Sequence, residues 1–262
     1  MLTLLAAATA VKLAYSFPVD VKRTYDVVTV FDGYVPVFGG QDGKVEVDLV
    51  VSAKGLNPAS DGNTQVLSTL DDIHLLLNGT AVNLITLDTV KPYFPPTTVS
   101  ITPFGATLKT DAPDLTLPVK LPGLDIKRFP DITYLPLELP EGGAEVGKPY
   151  SFKKAFGDSD ISYTVTPTRV TDASVYMDVA MTQSYEVLET DGKEVTKEEK
   201  DAAARVKTDV AGKGTATFDP HLGVFTTVAI DAKAHSLVTD IASKQQSTRD
   251  LKTSLSIKLR KD

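Results

Sequence analysis

Apolar and polar residues alternate with a period of two through most of the chain, in long stretches punctuated by Gly, Pro, Asn and Asp. That period puts successive side chains on opposite faces of a strand, one dry and one wet. Val19, Val21, Tyr25, Val27 and Phe31 fall on one face of a first predicted strand, with Asp20, Lys22, Thr24 and Asp26 on the other. Val45, Val47, Leu49 and Val51 repeat the pattern against Lys44, Glu46 and Asp48. The same reading predicts strands over Gln65–Leu77, Ala81–Leu87, Thr98–Thr110, Ile161–Val170, Val175–Leu188, Gly212–Phe218, Val224–Lys233 and Leu251–Lys258. Asp42-Gly43, Asp61-Gly62, Asn78-Gly79 and Asp191-Gly192 lie between the runs, where tolerance of positive φ suits tight antiparallel hairpins.

Two stretches break the pattern. Prolines crowd the region from about Pro92 to Pro149 that includes Pro95-Pro96, Pro113, Pro118, Pro130, Pro136 and Pro140, and each proline removes a ladder donor. Leu115, Leu117, Phe129, Leu135 and Leu139 keep this region apolar, so it reads as a strap packed across the body. A short helix is predicted from Lys197 to Lys207, where Thr196 and Glu199 have capping-box spacing. Thr97–Leu108 also resembles Gly214–Thr226 as strand, Pro, Gly turn, strand, which divides the chain into similar halves. The division runs 1–16 as a signal peptide or N-terminal apolar segment, 17–110 as a first β-meander half, 111–149 as the connecting strap and 150–262 as the second half.

Composition narrows the function classes. With 262 residues, 42% hydrophobic and 23% charged, the chain is neither a disordered tail nor a fibre. A net charge of −7 with no basic, aromatic-interleaved cluster argues against nucleic acid. The absence of Cys removes disulfides and thiolate metal sites. Met1–Ala10 is apolar, has the length of a secretory core and is too short to span a bilayer, which predicts export to the periplasm or beyond and no transmembrane span. Small residues at Ala8 and Ala10, or at Ala14 and Ser16, suit cleavage.

Candidate chemistry is sparse. His74, His221 and His235 are far apart, and none has a partner at local metal-ligand spacing. No Gly-x-Ser-x-Gly elbow or phosphate loop is present, and Gly157-Asp158-Ser159-Asp160 lacks the spaced ligands of a calcium loop. The expectation is a chain with no enzymatic activity, cofactor or metal.

The sequence from Phe129-Pro130 through Leu135-Pro136-Leu137 and Pro140-Glu141-Gly142-Gly143 to Phe152, with the long Thr-rich strands, the export-like start and Gly214–Asp219 before a Gly turn, resembles uncharacterised bacterial envelope proteins. These are similar in outline to the LolA and LppX class of lipoprotein and lipid carriers. The resemblance implies a strongly curved antiparallel sheet, a half barrel closed by helices, whose apolar concave face holds acyl chains.

The fold expected is therefore mainly β, with long antiparallel strands from two similar halves forming one strongly curved sheet or half barrel, a short helix and a Pro-rich strap. The alternative is two tandem β-sandwich domains joined at the strap. The expected function is an exported binding protein sheltering a hydrophobic ligand such as a lipid or acyl chain. Met177, Val179, Met181 and Tyr185, with Ile161, Tyr163 and Val165, are the predicted concave-face residues. The alternative is a structural or protein-interaction module of the cell envelope, contacting an envelope protein through strand edges or loops.

Overall fold

A computed structural model describes residues 10–35, 42–59, 63–111, 137–156, 159–190, 193–195 and 202–261. Residues 1–9, the Asp61-Gly62 and Asp191-Gly192 turns, Gly157 and Asp158, the strap from 112 to 136, and Thr196–Asp201 lie outside the described residues.

The strands are β1 (Lys22–Tyr34), β2 (Asp42–Gly55), β3 (Thr64–Leu77), β4 (Thr80–Ala81), β5 (Thr97–Ile101), β6 (Thr107–Thr110), β7 (Tyr150–Phe156), β8 (Ser159–Val170), β9 (Val175–Thr190), β10 (Lys193–Val195), β11 (Ala204–Asp219), β12 (Val224–Asp240) and β13 (Gln246–Leu259). Among the described residues one four-residue helix, α1 (Leu87–Val90), interrupts them. All thirteen strands join one antiparallel sheet whose main path is β6-β5-β3-β2-β1-β13-β12-β11-β9-β8-β7. The two halves are fused where β1 pairs β13, from Tyr25 opposite Leu259 to Gly33 opposite Leu251. A single sheet replaces the alternative of tandem sandwiches.

Period two explains which face is dry. Along β1 the residues Tyr25, Val27, Thr29 and Phe31 are buried, and β9 buries Val175, Met177, Val179 and Met181 in the same way. The sheet is also strongly curled. The β5–β6 turn and the β11–β12 hairpin are five strand spacings apart on the path, about 24 Å in a flat sheet. Tyr15 nevertheless touches both: its backbone N–H donates to Pro103 O at 2.7 Å, and its ring lies 5.9 and 6.1 Å from Phe218 and Phe225. The inner face of the bend carries small residues, Gly212, Gly214 and Ala216 on β11 beside Ala232 and Ala234 on β12, because side chains crowd where a sheet turns inward.

The sequence-predicted repeat corresponds to two hairpins, each with a left-handed glycine in its turn, Gly105 at φ 87° and Gly223 at φ 66°. The Asn78-Gly79 turn also forms as expected, with φ of 50° and 79° joining β3 to β4.

Four expectations are corrected. Ala204–Lys207 is strand, not helix, because Val206, Thr208 and Val210 extend the buried alternation of β11 in register with β9 and β12. Ala81–Leu87 does not continue as strand: the last bond to β3 is from Val82 N–H to Leu75 O, and Thr86 then caps α1, its N–H bonded to Thr89 Oγ1 at 2.9 Å. Val19 and Val21 are exposed, because a turn at Pro18, with Asp20 at φ 65°, starts β1 only at Lys22. Asp42-Gly43 opens β2 and pairs with β1, so it is not itself a turn.

Candidate functional site: the concave face

The register of β8 and β9 brings the predicted residues together. Tyr163 stands opposite Met181 and Val165 opposite Val179, with Ile161 and Met177 extending the same face. Ile161, Tyr163, Val165, Met177, Val179 and Met181 are buried, and Tyr185 is half-buried opposite Thr208 of β11. Phe152 of β7 stacks on Tyr163 at 5.1 Å and carries the apolar surface to the sheet edge.

This wall faces the middle of the sheet across the concavity. Tyr163 and Met181 share a void of about 30 Å³ with Thr29 of β1, Thr253 and Leu255 of β13 and Ile230 of β12. Since β8 and β1 are five spacings apart on the path, the void is a second sign of the curl.

The end of the concavity near Tyr15 is filled. Leu13, Tyr15 and Phe17 are buried with Leu137, Leu139, Phe218 and Phe225. Val11 and Ala144 exchange both backbone hydrogen bonds, at 2.8 Å each, and the Tyr15 hydroxyl donates to Leu137 O at 2.5 Å. Tyr150 donates to Glu138 O at 3.1 Å, and burial raises its hydroxyl pKa. The last third of the predicted strap is therefore packed on the body.

Polar groups interrupt the face toward the opposite end, and the sequence reading missed them. Arg249 Nη1 of β13 donates to Glu189 Oε2 of β9 at 2.7 Å across two intervening strands, and its guanidinium lies 4.2 Å from the Tyr34 ring. Both charged side chains are largely enclosed, so the pair is better shielded from solvent than a surface ion pair. Beneath them the Thr208 and Ser236 hydroxyls are 2.8 Å apart. A signal for part of this was present: Gln183 and Glu189 occupy odd positions in the apolar register of β9.

The three histidines stay apart from one another on the outer face. His74 Nε2 is 3.3 Å from Asp72 Oδ2 and His235 Nδ1 is 2.7 Å from Asp250 Oδ1, both pairs exposed. His221 sits in the β11–β12 turn, where its N–H donates to Asp219 Oδ1. Among the described residues no three His, Asp or Glu side chains gather to hold a metal ion, and no helix is long and apolar enough to cross a membrane.

A pocket of about 420 Å³ opens between β3 and the segment leading to α1, lined by Asp48, His74, Leu76, Ile85 and Leu87 among others. Asp48 Oδ1 is buried there without a hydrogen-bond partner. Burial, and then Glu46, raise its carboxyl pKa, with His74 opposing. A raised carboxyl pKa means that stability from this group is present below the usual aspartate range and lost as pH rises through the folded-state value. We expect Asp48→Asn to stabilise the protein at pH 7 by about 0.5 kcal/mol after allowance for solvent screening, with the gain shrinking toward pH 3 in urea titrations. An unchanged or lowered midpoint at pH 7 would show that Asp48 is not strained.

No known protein family matches the sequence, and no curated protein does. Among solved structures, one of lipovitellin described for its lipid–protein interactions superposes with a TM-score of 0.54 at 11% identity, over 94% of this chain and 26% of that one. The chain thus spans about a quarter of the lipovitellin chain, and it is similar to that part in fold.

Proposed function

We propose that the chain is an exported, non-enzymatic binding protein, periplasmic or extracellular, whose concave face shelters a hydrophobic ligand such as a lipid or acyl chain. The observation that carries this reading is the continuity of the apolar inner face, from Val99 on β5 through Val27 on β1 to Val165 on β8. Similarity in fold to lipovitellin supports it, since that structure was described for lipid–protein interactions. A void of about 30 Å³ admits no alkyl chain, so the ligand parts the β8–β9 wall from β1 and β13, where Met181 adapts its shape to what enters. In this reading a leader is cleaved after Ala10, because cleavage after Ser16 would remove Leu13 and Tyr15, which are buried. Intact mass of the exported protein checks this, and a mature chain starting at Phe17 would refute it.

The binding test is native mass spectrometry of the full chain from its envelope fraction, with lipid extraction and titration of a hydrophobic fluorophore. The expected result is a copurifying acyl-chain species and fluorophore binding in competition with it. A ligand-free mass without fluorophore binding would sink the reading. The close packing of Tyr163 and Met181 against β1 and β13 would then favour a structural or protein-interaction module.

A further inference from the structure

Three hydroxyl side chains stand where the apolar register calls for hydrocarbon. Thr29 follows Tyr25 and Val27 on β1, Thr253 lies between Leu251 and Leu255 on β13, and Tyr163 lies between Ile161 and Val165 on β8. They come from three strands and line one void of about 30 Å³. Thr29 is 5% exposed, Thr253 8% and Tyr163 9%, and Thr29 Oγ1 has no protein partner. A buried hydroxyl without a partner destabilises the fold relative to valine of the same shape. Thr29 Oγ1 is the orphan among them, and an occupant of the void it lines would satisfy it.

The void selects that occupant. Its volume of about 30 Å³ exceeds the roughly 10–15 Å³ that a cavity needs to hold a water molecule. No Lys, Arg, Asp or Glu side chain lines it, so an anion there would be uncompensated. Burial alone raises the Tyr163 hydroxyl to about 12, which keeps it a neutral O–H donor at physiological pH. Hydroxyls both donate and accept, so the site satisfies an alcohol, a carbonyl or water.

We infer that this void binds a single uncharged oxygen, and that it orients a hydrophobic ligand by an alcohol or ester carbonyl group, preferring such a ligand over a plain hydrocarbon or a fatty-acid anion. The inference rests on the binding function proposed above. Water holds the position until the ligand oxygen replaces it. The alkyl part of the ligand then lies along Met181, Ile230 and Leu255.

The test displaces Nile red from the full-length protein with 1-dodecanol, dodecane or dodecanoate. Dodecanol should compete at roughly 3- to 10-fold lower concentration than either of the others, the gain expected from one hydrogen bond. Thr29→Val with Tyr163→Phe should bring the dodecanol-to-dodecane ratio to about one. Thr29→Val with Thr253→Val serves the same purpose if the first pair fails to fold. Equal binding of all three compounds to the wild type, or a preference that survives the variants, would overturn the oxygen site and leave the binding function standing. Binding of none would remove both. A high-resolution crystal structure of the ligand-free protein should show one ordered oxygen within hydrogen-bond distance of Thr29 Oγ1, and a dry void would overturn the site independently of any ligand.

Discussion

Gly214→Ala is expected to lower the unfolding free energy by roughly 3 kcal/mol, at the upper end of what overpacking costs. Removing a glycine from a strand ordinarily helps, because alanine loses less backbone entropy on folding. Here a Cβ on Gly214 would lie 1.9 Å from Ala229 O and 2.7 Å from Ile230 Cα, so the backbone of β12 itself would have to move. At Gly212 the added atom would meet Met181 Cγ at 2.8 Å and Ala232 Cβ at 2.9 Å, contacts that side chains partly relieve. The two sites should therefore rank, with Gly214→Ala the more damaging. Lys213→Ala, between them and on the exposed face, should change stability by no more than about 0.5 kcal/mol. Urea unfolding of the three variants measures all of this. A Gly214→Ala protein as stable as the wild type would mean that β11 and β12 do not approach this closely, and the curl that brings Tyr163 toward Thr29 would go with it.

The strand-to-strand physics behind this bend was only half visible in the sequence. Alternation marks the dry face locally, which is why the sequence alone sets Met177, Val179 and Met181 on one side of β9 and Tyr163 and Val165 on one side of β8. Asn78-Gly79 was legible because a two-residue turn with positive φ is chemistry confined to two side chains. Pairing between chain-distant strands has no such local signature. The β1–β13 ladder joins residues more than 200 positions apart, and only the whole sheet decides it. Local propensity failed where tertiary pairing outweighed it: the run Ala202-Ala203-Ala204 reads as helix, yet Ala204–Lys207 pairs on both sides as strand. The polar members of the inner face were hidden for a related reason. A Thr in an alternating strand fits either face, so Thr29 and Thr253 gain meaning only when β1 and β13 lie side by side and Tyr163 arrives across the concavity.

Tyr15→Ala should be the most damaging single change at the other end of the concavity, at about 3 to 5 kcal/mol, the range for removing a large buried aromatic. Tyr15 is 6% exposed and packs edge-on against Phe218, tilted against Phe225 and parallel to Phe17. Its backbone holds the β5–β6 turn through Pro103 O, while the next residue, Ser16, donates to Gly223 O at 2.9 Å in the β11–β12 turn. Arg23 adds donors to Ser16 O and Leu222 O, so a strand-end guanidinium ties the segment to the same turn. The loss therefore combines a cavity with the release of two hairpins that the flat sheet would keep far apart. Tyr15→Phe separates the two contributions. It keeps the ring contacts and removes the bond to Leu137 O, leaving a buried carbonyl without that partner, so it should cost about 1 to 2 kcal/mol. Gly105→Ala tests the same contact from the opposite side, because a Cβ there would sit 2.3 Å from the Tyr15 ring at a backbone φ of +87°. If the clasp holds the two turns, Gly105→Ala and Tyr15→Ala are coupled, and their combined cost is less than the sum of the separate costs. Strict additivity in urea unfolding, or a Tyr15→Ala cost below about 1 kcal/mol, would place residues 10–17 outside the cooperative core.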